Sequence, residues 1–157
     1  APQIFQPKVL LTEACLAGIS NGLQGSTAAC HEGIVYLLGR TDGETTLVVT
    51  AVRPAARTTR GSFDVNSVAM ARVVRSAADL MLHVVGQVHT HPGGAAHSDG
   101  DVAGARMKYP GYVSIVLPDY GRRLPRLDGA AIYTFVETRG FVQLDAGDLV
   151  VIPGEAP

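Results

Sequence analysis

The stretch QVHTHPGGAAHSDGD, residues 87–101, holds three of the chain's five histidines and two aspartates. In an extended strand, residues two apart point to the same face. His89 and His91 therefore project together, with Thr90 on the opposite side. Two neutral imidazoles on one face at a strand end can supply two of the three protein ligands of a catalytic zinc. Ser98 and Asp101 open the next predicted element one helical turn apart, so both can turn back toward that strand end. His89, His91 and Asp101 would then leave a fourth position for water. A second reading of the same residues stays open. S-x-x-D before a helix is close to a capping box, with Ser98 as cap and Asp101 near the positive helix end, and His-x-His also occurs in solvated loops. Hydrolysis at zinc further needs a general base. Glu32, just ahead of IVYLLGR, is the candidate; in isolation such a residue is more often a solvated turn acid.

The elements that must carry these residues follow from periodicity. Residues 11–23 predict a helix, with Leu11, Ala14, Cys15, Gly18, Ile19, Gly22 and Leu23 on one face and Thr12 able to cap it. STAACHEG, 26–33, reads as a turn-like connector. IVYLLGR and TTLVVTAVRP are β-branched runs joined by TDGE, a hairpin signal. RPAARTTRGSF, 53–63, looks too polar and broken for regular structure. Residues 65–84 predict a second helix capped by Asp64, with Val65, Val68, Ala69, Val73, Ala77, Leu80, Met81 and Val84 as its apolar stripe. Arg72, Arg75, Asp79 and His83 face outward from it. VVGQVHTH reads as a strand that Pro92 ends, because proline cannot donate to a ladder. SDGDVAGARMK predicts a short helix, and YVSIVLP, AAIYTFVET and FVQLD…LVVIP predict strands. The expected fold is α/β, a mixed and mostly antiparallel sheet between two main helices.

Composition narrows the function classes. At 157 residues, 46% hydrophobic and 17% charged, residues 1–157 are expected to form one domain with a sizeable core. A net charge of −1 gives no field that would recruit nucleic acid or an acidic membrane surface. No G-x-G-x-x-G or P-loop supports nucleotide binding. Cys15 and Cys30 form no metal-ligand spacing; Cys15 is expected as a buried thiol, and one bridge between the two remains open. No apolar run approaches the roughly 18–20 residues of a membrane span, so a cytoplasmic setting is the expectation.

Taken together, Glu32 before a "LLGR" strand, a long helix, then "HTHP" and "SxxD" resemble the JAB/MPN family of zinc metallopeptidases, whose motif is called JAMM. The resemblance runs from about residue 8 to 152. It implies the JAB/MPN fold, and one Zn²⁺ held by His89, His91 and Asp101 with water in the fourth place. It implies Glu32 as the acid/base that activates this water and later protonates the leaving amine. It implies Ser98 as a donor to the tetrahedral oxyanion, a role worth about 3–4 kcal/mol when such a donor is deleted. The implied substrates are bonds after the C-terminal tail of ubiquitin or a ubiquitin-like protein, including ubiquitin-fold sulfur carriers. A non-catalytic module binding such a tail is the alternative; it would be marked by loss of Glu32 or a ligand, and every motif position is filled. One departure stands out: five residues separate Pro92 from Ser98, where family members more often carry six. Asp101 is kept as ligand, with Asp99 as fallback. His97 is expected to be a solvated loop histidine, with an outer-shell role as its alternative. Arg122, Arg123 and Arg126, like Arg57 and Arg60, are expected on solvated loops that could also meet acidic groups of a protein substrate.

Overall fold

The computed structural model describes residues 6–97 and 107–155. A strand β1 (Val9–Thr12) leads directly into helix α1 (Glu13–Ala29). The helical periodicity had counted Leu11 into the helix, yet Leu11 lies in β1 and is completely buried there. Thr12 is the cap: its side chain accepts a hydrogen bond from the Cys15 N–H at 3.0 Å. The helix also runs six residues beyond the predicted end, through the first half of STAACHEG. Gly25, Ser26 and Thr27 are poor helix formers, so tertiary contact carries this last turn. The Thr27 hydroxyl donates to the Tyr120 carbonyl at 2.6 Å. Cys30 closes the helix in the left-handed conformation, φ 54°.

Strands β2 (Ile34–Thr41) and β3 (Thr46–Val52) pair antiparallel across the expected hairpin. The supposedly irregular loop after them contains a small two-stranded ribbon, β4 (Arg57–Thr58) with β5 (Phe63–Asp64). Its strands are two residues long, too short for any periodicity to show. Helix α2 spans Ser67–Asp79, shorter than predicted, and its cap is Asn66 rather than Asp64, accepting from the Ala69 N–H at 2.8 Å. Val65 and Val84 are buried but flank the helix, whereas Val68, Leu80 and Met81 of the predicted stripe are exposed. The buried face is Ala69, Met70, Val73 and Ala77.

The remaining strands are β6 (His83–Thr90), β7 (Val113–Leu117), β8 (Ala131–Val136), β9 (Gly140–Leu144) and β10 (Leu149–Ile152). His83 is exposed as expected, but it opens β6 instead of lying on a helix. The strand order is β10-β1-β3-β2-β6-β7-β8-β9. Four of the seven pairings are antiparallel; β1 with β10, β1 with β3, and β6 with β7 are parallel. The sheet is thus mixed and mostly antiparallel, with a helix on each face. Along β2, Val35 and Leu37 pack under Leu16, Ile19 and Leu23 of α1. Ile34, Tyr36 and Leu38 pack under Ala69, Met70 and Val73 of α2. Both faces of β2 are therefore buried, as its unbroken apolar run requires. The predicted helix at 98–108 falls largely outside the described residues; Met107 and Lys108 belong to no regular element. Among the described residues no helix is long and apolar enough to cross a membrane.

The pairing of β2 with β3 shifts register between Leu38 and Gly39. A Cβ at Gly39 would lie 1.8 Å from the Leu47 carbonyl oxygen. Backbone cannot swing aside as a side chain can, so Gly39→Ala should destabilise the fold by about 3 kcal/mol. Urea denaturation would show this as a lower midpoint with an unchanged slope.

Candidate metal centre

The site is built where β2 begins and β6 ends. Ile34 pairs with His89 in the antiparallel ladder. The pairing continues one residue further: the Thr90 N–H donates to the Gly33 carbonyl at 3.1 Å, and the Gly33 N–H donates to the Thr90 hydroxyl oxygen at 2.8 Å. The ladder ends there: the Glu32 N–H goes to the Thr59 carbonyl and the His91 N–H to the Leu117 carbonyl. Directly paired residues share a face of the sheet, so Ile34 and His89 lie on one face, and Glu32 stands two residues before Ile34. Thr90 turns to the other side, as the i, i+2 rule predicts. A Cβ at Gly33 would sit 2.1 Å from the Ser26 hydroxyl oxygen, so a glycine here lets α1 close against the strand start. Glu32 is half-buried, and its N–H donates to the Thr59 carbonyl at 2.8 Å, tying the β4–β5 ribbon to the rim.

His89 is fully buried and His91 partly so. Their Nε2 atoms face one another at 3.2 Å. Two nitrogens sharing a tetrahedral zinc with ordinary Zn–N bonds stand about 3.3 Å apart, so the pair fits a shared metal ion. The tautomer of His91 suits that role. Its Nδ1 lies 3.2 Å from the Gly94 carbonyl oxygen; a carbonyl can only accept, so the proton sits on Nδ1 and the Nε2 lone pair points at the site. The backbone around His91 is held on both sides: its N–H donates to the Leu117 carbonyl and its carbonyl accepts from the Tyr120 N–H. Phe63 of β5 covers His89, with ring centroids 5.3 Å apart, and leaves one side of the site apolar.

Ser98, Asp99 and Asp101 lie outside the described residues. Among the described residues no group of three or more histidine, cysteine or carboxylate side chains could hold a metal; the structure brings together His89 and His91, and Glu32 stands two residues before Ile34, the ladder partner of His89. His97 corrects an expectation. It is not a solvated loop residue but a docked one, stacked on Tyr133 with centroids 3.8 Å apart and planes 8° from parallel. Its Nε2 lies 2.8 Å from the Ser114 hydroxyl oxygen, and its N–H donates to the Tyr133 hydroxyl at 2.9 Å. Phe141 meets the ring edge-on, and His89 lies 6.2 Å away.

Phe63, Ser114, Tyr120, Tyr133 and Phe141 each stand in a segment with no motif and meet the site only through tertiary structure: Ser114, Tyr133 and Phe141 through the sheet order, Phe63 through the ribbon and Tyr120 through the turn after β7. His31, beside Glu32, turns instead to the ribbon, its Nδ1 3.0 Å from the Thr58 hydroxyl oxygen. The arginines of the 121–127 loop are exposed as expected: Arg123 pairs with Asp119 at 2.9 Å, Arg126 with Asp128 at 3.5 Å. Arg122 lies over the Tyr120 ring, and its guanidinium reaches Cys30 Sγ at 2.9 Å. The two cysteines do not pair. Burial pushes the Cys15 thiol up to about 11, so it is an inert core group as its helical position suggested.

Comparison with known proteins bears on the fold and the family. Residues 23–127, more than half of the chain, match the family described as prokaryotic homologs of the JAB domain. A protein of Desulfitobacterium hafniense, its structure solved in solution, superposes with a TM-score of 0.66 over 92% of this chain and 93% of its own, at 15% identity. A protein of Salinibacter ruber, also solved in solution, superposes with a TM-score of 0.60 over 94% of each chain, at 23% identity. At these identities the two likenesses speak to fold.

Proposed function

The chain belongs to the prokaryotic homologs of the JAB domain, and on that footing we propose that it receives the extended C-terminal tail of a ubiquitin-like or sulfur-carrier protein and hydrolyses the bond that follows. The observation that carries the proposal is the convergence of His89 and His91 Nε2 at 3.2 Å, with Glu32 two residues before Ile34, the ladder partner of His89. His89 and His91, completed by Asp101, would hold zinc. Bound there, zinc would supply Lewis acidity, polarising a carbonyl and lowering the pKa of water toward neutrality.

The chain's own residues do the remaining work. The Glu32 carboxylate takes the proton from the attacking water and returns it to the departing amine nitrogen, so that no charged amide anion leaves. Ser98 donates to the oxygen on which negative charge develops. Phe63 shields one side from water, which strengthens every charge interaction inside. The β4–β5 ribbon beside Glu32 has outer edges unpaired by any described strand, and an extended tail can add to such an edge through main-chain hydrogen bonds. A second reading shares this groove without the chemistry: a tail-binding module. No group of three metal donors lies among the described residues, which do not include Asp101.

Zinc content and tail cleavage test the choice together. Untagged protein purified without added metal should carry about one zinc per chain and cut a fusion that extends a ubiquitin-like tail. Absence of zinc, with no uptake from solution, would sink the hydrolase and leave the binding module, whose affinity for the same tail calorimetry would measure.

A further inference from the structure

We propose that Tyr120 is a positioning residue: it ties the segments that carry Glu32 and His91 to one point, and so sets the proton carrier relative to the histidine pair. This deepens the hydrolase reading and rests on it. Bonds from three separate parts of the chain converge on Tyr120. Its N–H donates to the His91 carbonyl at 2.8 Å, where β6 has just ended. Its carbonyl accepts from the Thr27 hydroxyl at 2.6 Å, in the last turn of α1 and five residues before Glu32. Its own hydroxyl donates to the Arg60 carbonyl at 2.8 Å, in the turn of the β4–β5 ribbon. Arg60 adjoins Thr59, whose carbonyl accepts from the Glu32 N–H, and the same ribbon brings Phe63 over His89.

The backbone here is held against its own preference. Asp119 and Tyr120 stand consecutively at φ 53° and 56°, in the left-handed region that residues other than glycine rarely enter. Such conformations persist where the surroundings over-determine them, and they gather at functional sites. The determinants are visible in this turn: besides the bonds of Tyr120, the Asp119 N–H donates to the Gly93 carbonyl at 3.2 Å and the Gly121 N–H to the Pro118 carbonyl at 2.9 Å. The ribbon, for its part, needs a tether. Its strands are two residues long, and Arg57, Thr59, Arg60 and Gly61 are exposed, so its own pairing fixes it weakly. The ladder between β2 and β6 gives out at Gly33 and Thr90, and beyond it Glu32 and His91 bond away from each other, to Thr59 and Leu117. Tyr120 joins those two diverging ends again.

Tyr120→Phe deletes only the bond to Arg60 and keeps the ring and every main-chain bond. In metal-free protein it should speed amide exchange at Glu32 and Thr59 while Thr90 and His91 stay protected. In zinc-loaded protein it should lower kcat for a tail fusion about 2–10-fold, the span of one net hydrogen bond, with zinc affinity unchanged; KM should rise as well, since the ribbon is also the edge that would receive the tail. Thr27→Val loosens the Glu32 segment from the α1 side and should lower kcat alone, and Thr27→Ser, which keeps the hydroxyl, should recover most of that loss. A double-mutant cycle separates positioning from a merely structural role. In the Glu32→Gln background, Tyr120→Phe should take nothing more from the residual kcat, because the group it positions is gone; a loss of folded protein would add in full. Parental exchange at Glu32 and Thr59 in Tyr120→Phe, a parental kcat, or full additivity in the cycle would each overturn the proposal. If wild-type protein takes up no zinc and cuts no tail, the hydrolase reading falls, while the Glu32 and Thr59 amides still decide whether Tyr120 holds the Glu32 segment.

Discussion

Glu32→Gln is expected to lower turnover of a tail fusion by about 10²–10⁴-fold while leaving zinc content and tail affinity close to those of the parent. The substitution keeps the size and the hydrogen-bonding reach of the side chain but removes its ability to hold a proton at neutral pH. The backbone at this position is unaffected, because its N–H bond to Thr59 and the Gly33–Thr90 pairing on which the register depends involve no Glu32 side-chain atom. His89 and His91 are held by β6, Leu117 and Tyr120, so the histidine pair stays in place. The pattern to look for is a fall in kcat with binding retained. Cleavage at the parental rate in the glutamine variant would show that Glu32 is not the proton carrier, and a parallel loss of zinc would show that it acts on the metal instead.

The second large effect concerns the metal. The His89→Ala/His91→Ala double variant should fall from about one zinc per chain to none, and the single variants separate metal binding from folding. His91 is at the surface end of the pair and partly exposed, so His91→Ala should retain the parental stability in metal-free buffer. His89 is fully buried between Phe63 and His97; truncating it leaves a cavity and should cost about 2–4 kcal/mol without any metal present. Added zinc at about 100 times its dissociation constant should stabilise the parent by about 2.7 kcal/mol, since a ligand that binds only the folded state adds its binding energy to stability. Neither variant should gain this. Thermal melts with and without zinc measure all three quantities, and a zinc-dependent rise in Tm that survives in His91→Ala would remove His91 from the ligand set.

The legible part of the site was the part coded by local period. His-x-His on a strand needs only the two-residue repeat to bring two rings to one face, and the 3.2 Å approach of their Nε2 atoms bears this out. Glu32 was recognisable because it precedes a strand whose composition is unambiguous, and the start of that strand, Ile34, pairs with His89. The errors share a cause as well. β1 is four residues long and its Leu11 fits a helical face as readily as a strand face, so period alone could not divide it from α1. The last turn of α1 depends on a bond from Thr27 to Tyr120, 93 residues away. His97 was misjudged because a polar loop residue next to glycines is usually solvated; nothing within several residues of it signals the Tyr133 and Ser114 that receive it.

Hydrophobic period, turn chemistry and motif spacing determined, from the sequence by itself, the class of fold, the two helices on either side of a sheet, and the identity of the histidine pair. These are properties of neighbours along the chain, separated by two to four residues, and short-range sterics and solvation suffice for them. Only the tertiary structure decided that β2 and β6 would be adjacent at the centre of the sheet, that β10 would return to pair with β1 at one edge while β9 closed the other, and that His97 would dock across β7, β8 and β9. Those outcomes are set by which buried faces fit one another among segments far apart in sequence. Such packing is a property of the whole core, and no local window contains it.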